Sequence, residues 1–318
     1  MKSIIKILLS GIIIVVFWSC SHHTGTIRIG VLNGPSAVSF LQLMNQSSDF
    51  DGKKIKIILK NEPLQIQALM MQHKVDFAIL PTIMAANLYN KGLDFRMVGC
   101  PVWGTLYLMT NDATKDTINQ LAHQSVYVFG QGGTADILIQ RFLKQKKVGP
   151  VKIEYSLNSN NELTQALLQR KIKFAIVSEP LVSLLLTKDS SIKIVQKLTC
   201  ESYFDNFNKN IFVQTAFLVS SRFSDKYPSL VNQISDAYAN SCNFVNEHPD
   251  STAHLMLSNL LSPNINAARA SIPLCNIHYI AAFALQQEVF RYLNIFYNFN
   301  PKSIGGKMPD QNFIYQVY

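Results

Sequence analysis

Three segments of the chain recur, in the same order, just under a hundred residues downstream. NGPSA at 33–37 matches QGGTA at 131–135, and IKI at 55–57 matches VKI at 151–153. LMMQHKVDFAIL at 69–80 matches ALLQRKIKFAIV at 166–177. One such match is noise, but three in register mark an internal duplication. Both copies read alike. The first opens with strand TIRIGVL and a helix carrying Phe40, Leu41 and Met44, then strand KIKIILK, a helix from about Pro63 to Gln72, and strand VDFAIL. The second opens with strand SVYVFG and a helix with Ala135, Leu138, Ile139 and Phe142 at helical spacing. Strand VKIEYSL, a helix with Leu163, Ala166 and Leu167, and strand FAIVS follow. Strands joined by helix-length crossovers pair in parallel and are covered on both faces. The expected fold is α/β with two lobes, each a mainly parallel sheet flanked by helices. With 318 residues, the chain exceeds the size at which a single core usually divides.

The lobes need connections. LYLM at 106–109 is the expected first crossing and QTAFLVS at 214–220 the return, the two acting as a hinge. Helices are expected at 224–247, 249–261 and 264–271, and a last long one at about 277–298. The expected division is 26–105 as the first part of lobe 1 and 106–220 as lobe 2 with the crossover strands. Residues 221–318 form C-terminal helices that largely return to lobe 1. At the N-terminus, Lys2 and Lys6 lead into a short apolar run that ends at Ser19-Cys20. That pattern is an export signal, too short for a comfortable membrane span. FWSC at 17–20 resembles a bacterial lipoprotein cleavage box. The expectation is a signal peptide at 1–19 and a linker at 20–25 whose Cys20 carries lipid; an ordinary signal peptide or an uncleaved anchor is the alternative. Each places the body outside the cytoplasm, tethered to a membrane in the lipoprotein case.

Composition excludes several functions. Charged residues are only 15% against 48% hydrophobic, which suits a packed globular protein. The net charge is +9, but basic residues are scattered, and KQKK at 144–147 closes a predicted helix, where cations suit the dipole. No nucleic-acid partner is expected. Cys100, Cys200, Cys242 and Cys275 are widely spaced, without CxxC, so buried thiols are expected rather than a disulfide framework or zinc site. There is no HExxH and no nucleophile elbow with a Ser-His-Asp order. His73, His123, His248, His254 and His278 fall on predicted helices or helix ends, away from the strand-end loops. No catalytic residue, metal or cofactor is expected.

Open parallel sheets bind ligands beyond the carboxyl ends of their strands. Four duplication-related loops fall there: Asn33-Gly34-Pro35-Ser36, Pro81-Thr82, Gln131-Gly132-Gly133-Thr134 and Ser178-Glu179-Pro180. If the lobes face each other, all four line one cleft. The segment FGQGGTAD lacks the lysine of a Walker loop and has Asp136 where a dinucleotide fingerprint needs glycine. Ser36 and Thr134 read as helix N-caps, with N–H groups free either for capping alone or for an anion or carbonyl of a ligand. Glu179 is either a solvated loop acid or a partner for a ligand amine or a lysine. Trp103 is either a core residue or a surface for a flat ligand at the hinge.

DFAILPTIMAANLYNKG (76–92), GTLYLMT (104–110), PLCNIHYI (273–280) and NPKSIGGKMPD (300–310) carry a family likeness. They resemble ABC-transporter substrate-binding proteins of the nitrate, sulfonate, taurine and thiamine-precursor type, the NMT1-like group. The resemblance spans roughly residues 26 to 314. It implies a type II periplasmic-binding fold whose cleft closes on a small solute, and an ABC permease in the membrane that receives it. A monomer is expected. It also implies solute contacts at Asn33, Gly34, Pro35, Ser36, Pro81, Thr82, Gly132, Gly133, Thr134 and Glu179, with Asn276, before the last long helix, as a further contact. The strand-end loops hold no Arg or Lys, and Arg28 lies inside the first strand. That disfavours a tightly paired oxyanion; a neutral or partly cationic ring suits Glu179 and Trp103 at least as well. Two alternatives remain: a same-fold enzyme of the pyrimidine-precursor synthase type, and a surface lipoprotein without transport.

Overall fold

The computed structural model describes residues 25–46, 49–198 and 212–316. The signal peptide, the lipidated Cys20 and Cys200 lie outside the described residues. In chain order the first half comprises β1 (Thr26–Leu32), α1 (Pro35–Ser39), α2 (Leu41–Asn45), β2 (Asp49–Phe50), β3 (Lys53–Lys60), α3 (Pro63–Met71), β4 (Phe77–Pro81), α4 (Thr82–Asn90) and β5 (Phe95–Val102). The second comprises β6 (Leu106–Thr110), β7 (Ser125–Tyr127), α5 (Thr134–Gln145), β8 (Lys152–Glu154), α6 (Asn160–Leu168), β9 (Phe174–Ser178), α7 (Leu181–Lys188) and β10 (Lys193–Lys197). The chain then forms β11 (Thr215–Ser220), α8 (Ser221–Lys226), α9 (Pro228–Glu247), α10 (Pro249–Ser258), α11 (Ile265–Leu274), β12 (Ile277–Ala281) and α12 (Gln286–Phe299).

The duplication shows directly in the sheets. One runs β12-β5-β11-β4-β1-β3-β2, the other β10-β6-β9-β7-β8. Thus β5-β11-β4-β1-β3 in lobe 1 corresponds, strand for strand, to β10-β6-β9-β7-β8 in lobe 2. Register corresponds as well: Phe77 of β4 lies beside Ile29, and Phe174 of β9 lies beside Val126. The three strands of each repeat are parallel, and the strand beside β4 or β9 runs the other way. Those reversed strands are exchanged: β6 follows the first repeat yet joins the second sheet, and β11 follows the second yet joins the first. The exchange makes the segments before β6 and before β11 the two bridges between lobes.

Local chemistry sets the element ends. Glu62 and Gln65 form a reciprocal capping box that starts α3 behind Pro63. Ser159 and Asn264 accept the N–H of Glu162 and Ala267 to start α6 and α11. The helix expected at 224–247 is broken at Tyr227, because Pro228 supplies no N–H and disfavours a helical residue before it. The last long helix is a larger correction. Residues 277–281 are extended and pair antiparallel with β5, a 3₁₀ turn covers Ala282–Leu285, and the helix begins only at Gln286.

Aromatic packing seats α9 on the first sheet. Phe40 stacks on Tyr238 at 3.9 Å between centroids, Phe77 stacks on Phe217 at 5.2 Å, and the Tyr238 hydroxyl meets Ser39 Oγ at 2.7 Å. Cys100, Cys242 and Cys275 are buried free thiols, and burial pushes all three up from the ordinary thiol range. The C-terminal elements do not all stay with lobe 1: α11 also packs on α7, and α12 touches both α4 and α5. Among the described residues, no helix is long and apolar enough to cross a membrane.

Candidate functional site

The first strand-end loop is held in place by its own asparagine. Asn33 Oδ1 accepts the Gly34 N–H at 3.0 Å, and Asn33 Nδ2 donates to Asn61 Oδ1 at 3.2 Å. Gly34 has φ of 116°, a conformation that side chains rarely adopt, and caps α1 through its carbonyl. A methyl group there would lie 3.8 Å from the Glu179 carbonyl oxygen. The first loop of lobe 1 therefore stands against the last strand-end loop of lobe 2. Pro35 is the first residue of α1, and Ser36, expected as its N-cap, is its buried second residue.

The matching loop of lobe 2 is held from below. Gly130 and Gly132 both have positive φ, and a Cβ on Gly133 would meet the Gly130 carbonyl at 2.8 Å. Gly133, not Thr134, is the N-cap of α5. The Gly133 carbonyl accepts the Ile137 N–H at 3.1 Å, and Asp136 braces the loop before the helix: its carboxylate accepts the Gly132 N–H at 2.7 Å, Gln140 Nε2 at 2.6 Å and the Tyr155 hydroxyl at 2.8 Å. Asp136 is 2% exposed, so a buried carboxylate organises this loop and places negative charge in the first turn of α5.

Thr82 and Glu179 meet at the lobe crossing. The Thr82 N–H donates to the Gln214 carbonyl at 3.0 Å, and the Glu179 N–H donates to the Thr105 carbonyl at 3.2 Å. Thr105 and Gln214 are in turn joined by two side-chain bonds: the Thr105 N–H donates to Gln214 Oε1 at 2.8 Å, and Gln214 Nε2 donates to Thr105 Oγ1 at 3.1 Å. Pro81 ends β4 opposite Thr215.

Glu179 is not solvated and, among the described residues, is not paired with a lysine. It is 1% exposed, and its carboxylate accepts the Ser183 N–H and hydroxyl, both at 3.1 Å, which caps α7 from outside. Burial pushes its pKa up to about 7, the Ser183 bonds opposing the shift. Tyr107, on β6, feels that carboxylate; its own hydroxyl is pushed up, first by burial and then by Glu179.

Trp103 offers no open face to a flat ligand. It is 1% exposed, its ring stacks on His278 at 4.6 Å and 7° between planes, and its Nε1–H donates to the His278 carbonyl at 2.7 Å. His278 is thus on a strand at the crossing, not on a helix away from the loops, and burial lowers its pKa. Asn276 precedes β12, has a left-handed backbone with φ of 45°, and clasps Trp103: its side-chain amide donates to the Trp103 carbonyl, and its own carbonyl accepts the Trp103 N–H.

Gly34, Thr82, Trp103, Glu179 and Asn276 therefore converge on the crossing. The bonds that fix the Gly132–Thr134 loop are internal to lobe 2. Sequence reasoning missed Asp136, Ser183, Thr105, Gln214 and His278 as organisers. A carboxylate four residues after Gly132 and a serine four after Glu179 were the only available signals for the first two. Among the described residues, the hydroxyls of Thr82, Thr134 and Tyr107 are buried without a hydrogen-bond partner. Such atoms are costly to leave unpaired, and each hydroxyl can both donate and accept. Among the described residues no cluster of His, Cys, Asp and Glu suits a metal ion. A separate surface concavity of about 1020 Å³ lies along α12, lined by residues such as Phe283, Phe290, Arg291 and Met308, and includes none of these side chains.

Comparison with solved structures finds the same architecture. An ABC transporter protein from Parabacteroides distasonis is 33% identical, with 92% of this chain and 99% of that one covered and a TM-score of 0.80. The periplasmic aliphatic sulphonate binding protein SsuA of Escherichia coli is 14% identical over 92% of both chains, with a TM-score of 0.70. The alkanesulfonate-binding protein SsuA of Xanthomonas axonopodis pv. citri, bound to MOPS, is 16% identical over 91% of this chain and 96% of that one, with a TM-score of 0.68. At those last two identities the likeness is one of fold. No curated protein matches the sequence. The NMT1/THI5-like family matches residues 50–252, and together with the Parabacteroides relative this establishes the affiliation: the chain belongs to the NMT1/THI5-like family, with the two-lobed fold of ABC-transporter substrate-binding proteins.

Proposed function

We propose that the chain is the solute-binding receptor of an ABC importer, which closes on a small organic solute and hands it to a membrane permease. The observation that carries this reading is a pair of hydroxyls. Thr82 and Thr134 are each the first residue of a helix, one in each lobe, and among the described residues each hydroxyl oxygen is buried without a partner. A solute that hydrogen-bonds both lobes would satisfy them and hold the lobes together; no bond need be made or broken. Asn33 to Ser36, Pro81, Gly132, Gly133, Glu179 and Asn276 are the proposed surrounding contacts, with Trp103 as a support behind Asn276. The receptor is proposed to act outside the cytoplasm, held to a membrane by lipid on Cys20.

The solute class follows from charge. No Arg or Lys lies in the four loops. Asp136 already fills the Gly132 donor, and Glu179 already fills the Ser183 donor. Both loops of lobe 2 thus carry a buried carboxyl where a nitrate or sulfonate would need free donors. We favour a neutral or partly cationic ring, of the pyrimidine-precursor kind, over those anions. Calorimetry with hydroxymethylpyrimidines, alkanesulfonates and nitrate tests this, paired with mass spectrometry of small molecules released from protein purified from cells. Heat from the pyrimidines alone is expected. Heat from sulfonates alone overturns the solute class, and no heat with no released molecule overturns the receptor.

A further inference from the structure

Among the described residues, a single side chain joins the two bridges between lobes. On the outgoing bridge, Trp103 belongs to lobe 1: its N–H, carbonyl and indole N–H are all bonded to Asn276 or His278. Leu106 belongs to lobe 2, paired with Ser178 and accepting the Leu198 N–H at 2.8 Å. Only Gly104 and Thr105 lie between. Gly104 has φ of 85°, a region open to glycine, so the pivot of this bridge is confined to two residues. On the return bridge, Gln214 stands immediately before Thr215, which is already in the lobe 1 sheet.

Gln214 grips that pivot at two points, Oε1 on the Thr105 N–H and Nε2 on the Thr105 hydroxyl. Thr105 is fully buried, so releasing the grip leaves a buried N–H without water to replace its partner. The same two residues hold the backbone of the proposed solute contacts. The Gln214 carbonyl takes the first N–H of α4, from Thr82, and the Thr105 carbonyl takes the Glu179 N–H. A single chain of bonds therefore runs from Thr82 in lobe 1 through Gln214 and Thr105 to Glu179 in lobe 2.

We propose that Gln214 is the positioning residue of the hinge, whose amide grip on Thr105 sets the angle between lobes and couples Thr82 to Glu179 across the crossing. This deepens the receptor reading and rests on it for its consequence: solute held at either residue biases the same pivot. The grip itself is independent of solute.

The test needs no ligand. Gln214→Leu removes both bonds while filling similar volume. X-ray scattering should show a larger radius of gyration, and hydrogen exchange read by fragmentation mass spectrometry should show the amides of Thr82, Thr105 and Glu179 exchanging about tenfold faster together. Thr105→Val removes only the hydroxyl bond and keeps the branched shape. It should speed Thr82 and Glu179 by a smaller factor, about threefold, whereas Thr105→Ser should restore wild-type exchange. If Gln214→Leu does not fold, the Thr105 pair decides alone. The proposal is overturned if only the Thr105 amide quickens while Thr82, Glu179 and the radius of gyration stay unchanged, or if Thr105→Val and Thr105→Ser behave alike. Because no solute enters these readouts, a failed receptor reading leaves them standing, and their failure leaves the calorimetry untouched.

Discussion

Replacing Glu179 by glutamine removes a proton-binding site from the interior of the folded protein. The carboxyl is 1% exposed and, among the described residues, forms no ion pair; its bonds come from Ser183 alone. Its pKa is raised from 4.5 to about 7. Below pH 4.5 both folded and unfolded chains hold the proton. Between 4.5 and about 7 the folded chain keeps it and the unfolded chain releases it, so stability falls as pH rises across that window. At about 1.4 kcal/mol per unit, the loss is complete above pH 7 at about 3 kcal/mol. Glutamine keeps a carbonyl for Ser183 and never ionises. Glu179→Gln should therefore match the wild type near pH 4.5 and exceed it by about 3 kcal/mol at pH 8. Urea unfolding of both proteins across that range, after removal of any carried solute, measures the difference. Two stability profiles separated by a constant amount would refute the reasoning, because they would mean that the carboxyl ionises alike in both states.

Thr82→Val and Thr134→Val each remove a hydroxyl that has no partner among the described residues, so stability should hold or rise by up to ~1 kcal/mol. Solute should meanwhile dissociate faster; urea melts and off-rates read the two effects separately. Asp136→Asn weakens three charge-assisted bonds under the glycine loop and should cost about 2 kcal/mol, with faster exchange at the Gly132 amide. The sequence has two tryptophans, and Trp18 lies in the expected signal peptide, so emission of the processed chain reports Trp103. Protonation of the stacked His278 should quench that emission with a midpoint below pH 6.5, since burial disfavours the imidazolium; a midpoint at or above 6.5 would count against the stack.

The paired sheets were legible because duplication repeats a pattern that burial demands twice. Phe77 and Phe174 occupy equivalent places beside Ile29 and Val126, and a shared apolar run at one offset needs no tertiary knowledge to recognise. The strand at 277–281 was not legible. Ile280, Phe283 and Ala284 carry helical spacing, but β5 takes residues 277–281 as its outer partner, and that demand comes from far away in sequence. The site was legible as a set of loops and less so as chemistry. That helices start near Ser36 and Thr134 was readable, but the caps are the carbonyls of the preceding glycines, Gly34 and Gly133, and the second loop is braced by Asp136. Trp103 and Glu179 looked available because their neighbours, His278 and Ser183, are brought onto them by packing. For His278 the partner is 175 residues away along the chain.

The helix α12 lies against α4 and α5 at once, and its apolar face joins a core shared by both halves. Parting that flank would bring buried oily surface into water, at roughly 25 cal/mol for each square ångström. Separation of the two halves is therefore opposed along the flank that α12 covers. On the proposed receptor reading, a solute would have to enter and leave on the side away from that flank.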